Sequence, residues 1–65
     1  MAYDARFAVY RAKNGQYYYI FRAANGEVLV TSETYVHKQS AYDGIAAFKG
    51  AVADADTVDM TDKVM

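Results

Sequence analysis

The residues best placed to do chemistry in this 65-residue chain are the aromatic and basic Arg6, Tyr10, Tyr18 and Arg22, together with the apolar Ile20. If the segments that carry them pair as a hairpin, Tyr10 and Tyr18 oppose each other, flanked by the two arginines. An open sheet face of this kind stacks flat groups such as bases, at ~1–3 kcal/mol per base. The plainer reading is that a dimer partner or its helix covers the face and makes the rings structural. A formal net charge of −1 works against a general nucleic-acid binder, although a local patch can still be basic. Coverage by the partner is therefore the leading expectation for this face; as a binding surface it suits a protein or small ligand first, with single-stranded nucleic acid the alternative.

Other candidates are thinner. His37 is the only histidine, and zinc sites draw on several Cys and His ligands. Ser32, Ser40 and Asp43 lie near it in sequence, but no nucleophile elbow or oxyanion motif surrounds them. Asp54, Asp56 and Asp59 invite comparison with a calcium loop. Counted from Asp54, however, position five is Val58, position six is Asp59 in place of Gly, and position twelve is Met65. These acids read as a solvated turn. Ser32-Glu33-Thr34-Tyr35 is the most distinctive loop, and Ser32, Glu33 and Tyr35 form a second candidate site. One carboxylate without a partner is poor material for acid–base catalysis. The expectation is that Ser32 and Thr34 bond the local backbone while Tyr35 packs down as an anchor. No nucleophile–base pair, metal cluster or phosphate-binding loop can be assembled, so the reading is non-enzymatic, with no cofactor.

Composition frames these residues. The chain is 54% hydrophobic and 15% aromatic, with 23% charged residues, the balance of a folded domain. No apolar run approaches the roughly 18 residues that span a bilayer, and Met1-Ala2-Tyr3-Asp4 is not an export leader. A cytoplasmic location, with no membrane partner, is the expectation. There is no cysteine, hence neither a disulfide framework nor a thiolate zinc site. A domain this small buries only ~60% of its unfolded surface and usually needs a staple. With disulfides and metal set aside, oligomerisation remains, and a homodimer is expected.

The elements that must position the candidates come next. Arg6 to Ala12, Gln16 to Ala23 and Glu27 to Thr31 read as three antiparallel strands. Asn25-Gly26 is the strongest short hairpin signal, since both residues tolerate positive φ. For the first hairpin, a three-residue loop at Lys13-Asn14-Gly15 pairs Phe7 with Phe21 and Val9 with Tyr19, and sets Arg11 beside Tyr17. A two-residue loop would put Phe7 opposite Arg22 and mix polar with apolar groups, so the three-residue loop is preferred. The core face is then Phe7, Val9, Tyr17, Tyr19 and Phe21; the other carries Arg6, Ala8, Tyr10, Tyr18, Ile20 and Arg22. Val28-Leu29-Val30 is apolar in succession, which implies that both faces of the third strand are at least partly covered. Ala41, Ile45, Phe48 and Val52 follow one face of a helix that starts near His37 or Lys38, where no preferred N-cap stands. Gly44 is read as a close approach of helix to sheet. Thr57-Val58-Asp59-Met60-Thr61 alternates weakly and is expected to form a fourth strand, with Asp62 to Met65 frayed.

Phe7-Ala8-Val9-Tyr10-Arg11, Asn14-Gly15-Gln16-Tyr17, Ala23-Ala24-Asn25-Gly26-Glu27-Val28 and Thr31-Ser32-Glu33-Thr34-Tyr35, followed by Lys38 and Gly44-Ile45, resemble the YegP-like family of small bacterial domains. The resemblance runs from about Arg6 to Thr61 and implies one α+β domain over residues 1–65, built as a β-β-β-α-β unit. In that family two units, tandem or from two subunits, form one sheet and exchange C-terminal strands. A single unit is thus expected to dimerise through Thr57, Val58, Asp59, Met60 and Thr61. The family's biochemical function is unknown, so the resemblance assigns no catalytic or binding residue. Two departures stand out: Tyr18 and Ile20 where the family tends to be polar, hinting at an extra contact surface, and Val36-His37 where Ser or Thr would cap the helix.

Overall fold

A computed structural model describes residues 4–63. Three strands, β1 (Arg6–Arg11), β2 (Tyr17–Arg22) and β3 (Val28–Thr31), are followed by one helix, α1 (Lys38–Asp54). The strands form an antiparallel meander in the order β1-β2-β3. The register of the first hairpin is the one the core face demands: Phe7 opposes Phe21, Val9 opposes Tyr19 and Arg11 opposes Tyr17. Arg11 donates to the Tyr17 hydroxyl at 2.8 Å and lies over its ring.

Both hairpins close with the same device. In the first, the Ala12 N–H donates to the Gln16 carbonyl, Gly15 turns back to Ala12, and the Asn14 side chain accepts from the Gln16 N–H. In the second, Ala23, Glu27, Gly26 and Asn25 play the same parts. Only the glycines adopt positive φ, 85° at Gly15 and 87° at Gly26. Asn25 tolerates that region but does not adopt it. The loop has three residues, and Asn25 spends its side chain on an Asx turn.

The third strand departs from its reading. The register slips between Phe21 and Arg22, which oppose Val30 and Val28, so Leu29 is an extra residue in a bulge. Val28 is 43% and Leu29 56% exposed. The covered strand inferred from three successive apolar residues is instead an edge, because α1 packs on β2 and β1 and leaves β3 bare.

The helix begins where expected, with His37 at the N-cap and no side-chain cap bond. Ala41 and Ile45 are buried against the sheet, and Phe48 meets Phe7 and Tyr19 at ring-centroid distances of 6.0 and 6.4 Å. Val52, placed on the same face, is 55% exposed. Seventeen residues of helix extend about 25 Å, which outruns a three-stranded sheet.

No strand forms at Thr57 to Thr61. The segment joins no strand among the described residues and is exposed, with Val58 and Met60 open. Asp59 instead accepts from the backbone N–H and hydroxyl of Thr61, at 2.9 and 2.7 Å. These two bonds hold its carboxyl below the usual range. Asp62 and Lys63 follow in a turn, while the rest of the frayed tail lies outside the described residues.

Candidate functional site

The aromatic–basic face lies on the side of the sheet away from α1. Strand pairing sets three rows across it: Arg6 with Arg22, Ala8 with Ile20, and Tyr10 with Tyr18. The Tyr10 and Tyr18 rings stack at 5.7 Å with planes 27° apart. Tyr10 is 42% exposed, whereas Tyr18 is half-buried behind it. Sequence reasoning therefore placed this pair correctly, but not its surroundings.

Ile20 is the correction. It is 7% exposed, although no helix covers its face. It sits on the central strand between Ala8 and Thr31, with the long side chains of the adjoining rows standing on either side. Ile20 is thus floor, not contact surface, and of the two residues that depart from the family pattern it supplies no platform.

A hollow of about 500 Å³ on this face is lined by Arg6, Tyr10, Arg22, Asn25 and Gly26; of these, the sequence reading had passed over Asn25 and Gly26. Arg22 donates to the Gly26 carbonyl at 2.6 Å, which ties its guanidinium to the second hairpin loop. What could not be seen was the loop's return over Arg22.

The second candidate, Ser32-Glu33-Tyr35, has a structural arrangement. The Ser32 N–H donates to the Tyr19 carbonyl, and the Tyr19 N–H donates to Ser32 Oγ, both at 2.9 Å. A side-chain oxygen thus stands in for a strand carbonyl at the end of the ladder. Ser32 then donates to the Glu33 carbonyl at 2.7 Å. Thr34, expected to share this role, makes no such bond among the described residues. Tyr35 packs down as read: its backbone exchanges two hydrogen bonds with Tyr17, and its ring stacks on Tyr19 at 6.5 Å. Burial, and then the proximity of Tyr35 and Glu33, push the Tyr19 phenol above its ordinary pKa. Glu33 is exposed and acts only at a distance.

His37, Ser40 and Asp43 are not assembled into a site. His37 is exposed at the helix start, and Asp43 accepts from Gln39 at 3.0 Å. Among the described residues no three His, Cys, Asp or Glu side chains converge as metal ligands, and no helix is long and apolar enough to cross a membrane.

Comparison with known proteins agrees with this architecture. A domain of unknown function, DUF1508, matches residues 12–59. UPF0339 protein Atu0232 of Agrobacterium fabrum is 45% identical over 56 residues, which cover 86% of this chain and 90% of that protein. UPF0339 protein YegP of Yersinia pestis is 46% identical over 41 residues, 63% of this chain but 37% of that protein. Relatives are thus both of similar length and considerably longer. A solution structure of a protein from Haloferax volcanii superposes with a TM-score of 0.76 at 31% identity, covering 88% of this chain and 97% of the other. With the family pattern over most of its length and the meander-plus-helix fold in place, the chain belongs to the DUF1508 (UPF0339, YegP-like) family of domains of unknown function.

Proposed function

We propose that this protein is a non-enzymatic, cytoplasmic, homodimeric domain that binds a protein or small ligand, its two copies joined by exchange of Thr57 to Thr61. The observation that carries the assembly is a pair of unmet needs in one chain. Among the described residues β3 has a free edge and no helix above it, and Val28 and Leu29 are open. Among the same residues the segment 57–61 joins no strand, and it exposes Val58 and Met60. Strand addition satisfies both, since a bare edge offers backbone donors and acceptors as well as an apolar surface. Size-exclusion chromatography with light scattering, across a dilution series, tests the proposal. The full chain should run as a dimer, and deletion of residues 57–65 should weaken or abolish it. A truncated chain that remains a stable, folded dimer contradicts strand exchange.

The binding role rests on the face across from α1, which exchange at β3 need not cover. One observation favours a second reading, single-stranded nucleic acid: Tyr10 and Tyr18 are stacked beside Arg22. Titration with short oligonucleotides at low and high salt separates the two, because the phosphate contribution is largest at low salt. No response at low salt removes the nucleic-acid reading.

A further inference from the structure

We infer that the outer edge of β1 binds an extended, acidic segment of another protein by antiparallel strand addition. The segment carries two acidic residues on one face, with an apolar residue midway between them. This edge is separate from the face across from α1, and exchange at β3 leaves it free.

Hydrogen bonding defines the edge. β1 ends the sheet, and among the described residues no strand pairs with its outer side. The Ala12 N–H donates to the Gln16 carbonyl, which fixes the alternation along the hairpin. Arg6, Ala8 and Tyr10 direct their backbone groups to β2, while Phe7, Val9 and Arg11 direct theirs outward. The neighbouring strand agrees with this: Tyr17 and Tyr19, opposite Arg11 and Val9, bond away from β1 to Tyr35 and Ser32. Three residues thus offer both an N–H and a carbonyl to an incoming strand. A phosphodiester accepts from N–H groups but has nothing to donate to the carbonyls. A peptide backbone does both.

Charge selects the peptide. Between Ala5 and Gly26 the chain holds Arg6, Arg11, Lys13 and Arg22 but no acidic residue. On the helix side of the edge, the Lys49 ammonium lies 5.4 Å from the centre of the Phe7 ring. Val9 follows on the same face of β1, and then Arg11. Arg11 spends one hydrogen bond on the Tyr17 hydroxyl, which leaves most of its five N–H donors. Lys49 and Arg11 are exposed, and Val9 is half-buried. Residues directly opposite in an antiparallel pair share a face. Acidic residues opposite Phe7 and Arg11 therefore each meet a cation, and an apolar residue opposite Val9 extends the core. Two β1 edges brought together would oppose like charges, so a second copy of this edge is the wrong partner.

The test uses the full-length protein, isotopically labelled, and a capped peptide, Thr-Glu-Thr-Val-Thr-Glu-Thr. Hydrogen exchange is measured first without peptide, and an open edge leaves the Phe7, Val9 and Arg11 amides fast. Titration should then give a saturable response at these amides and slow their exchange. Replacing both Glu residues by Lys should weaken binding roughly tenfold or more, as should methylating the central Val nitrogen, which removes a backbone donor. Lys49→Glu should weaken it similarly, and a peptide with Lys in place of the second Glu, the one opposite Phe7, should restore that variant to within roughly threefold of the parent pair. No saturable response at the β1 amides overturns the proposal. So does a lysine or N-methylated peptide that binds as tightly, or a Lys49→Glu variant that binds the first peptide unchanged. Decathymidylate binding the same amides more tightly overturns it in favour of nucleic acid. Amides already protected before peptide is added show that a copy of this chain holds the edge, which also moves the exchange away from β3. Unprotected amides with no peptide response defeat the acidic partner alone and leave the dimer reading untouched.

Discussion

Gly44 and Tyr35 touch: a methyl group on Gly44 would stand 2.6 Å from the Tyr35 hydroxyl oxygen and 3.1 Å from the ring carbon that bears it. Tyr35 has little freedom to withdraw. Its backbone is bonded twice to Tyr17, and its ring is stacked on Tyr19, which itself comes 3.3 Å from the same methyl position. The glycine is what lets the helix lie this close to the central strand.

Gly44→Ala should therefore destabilise the domain even though alanine is the better helix former. The propensity gain is about 1 kcal/mol, and overpacking costs typically 1–3 kcal/mol. Urea denaturation should show a net loss of up to about 2 kcal/mol. A variant more stable than the parent would mean that Tyr35 yields freely.

Gly50→Ala is the counterpart on the same helix. Nothing lies within 4 Å of its added methyl group, so only propensity acts. A gain of roughly 0.5–1 kcal/mol is expected, read as a higher urea midpoint with the same slope. The opposite signs at the two glycines are the diagnostic outcome.

Ser32→Ala removes the oxygen that receives the Tyr19 N–H. Tyr19 is one of the few buried side chains, and leaving its N–H without an acceptor should cost about 1–3 kcal/mol. Hydrogen exchange at the Tyr19 amide should accelerate more than at Phe7 or Phe21. Unchanged protection there would show that water replaces the hydroxyl at no cost.

The raised pKa of Tyr19 makes stability sensitive to alkali. The folded chain holds this proton more tightly than the unfolded chain, whose phenol titrates at about 10. Its contribution is complete below that value and is lost as pH rises through the raised folded pKa. Unfolding midpoints measured from pH 8 to 11 should decline more steeply for the parent than for Tyr19→Phe. Equal slopes would exclude Tyr19 as the source.

Local chemistry made the first hairpin legible. Loop length and two-residue alternation admit one register that keeps Phe7, Val9, Tyr19 and Phe21 on a single face, and a slip of one residue inverts them all. The helix was legible for a similar reason, since Ala41, Ile45 and Phe48 repeat with its turn. Even the Gly44 contact was visible, as a glycine facing a sheet where a side chain would be costly. Three successive apolar residues at Val28 to Val30 contain no alternation, so the bulge at Leu29 and the bare edge of β3 had no signature. They depend on how far α1 reaches across the sheet.

The same division runs through the candidate site. Opposition of Tyr10 and Tyr18 followed from register, whereas the burial of Ile20 and the hollow lined by Arg6, Tyr10, Arg22, Asn25 and Gly26 depend on neighbouring rows and on a loop folding back to Arg22. At the C-terminal end, weak alternation from Thr57 to Thr61 suggested a strand, but a strand exists only where an edge receives it. By itself the sequence determined the meander, the helix and which residues share a face, because those are fixed by turn geometry and by periods of 2 and 3.6 residues. The tertiary structure decided which face is open, where the hollow lies and which edge stays unpaired. Those depend on distances between elements far apart in the chain, which no local pattern encodes.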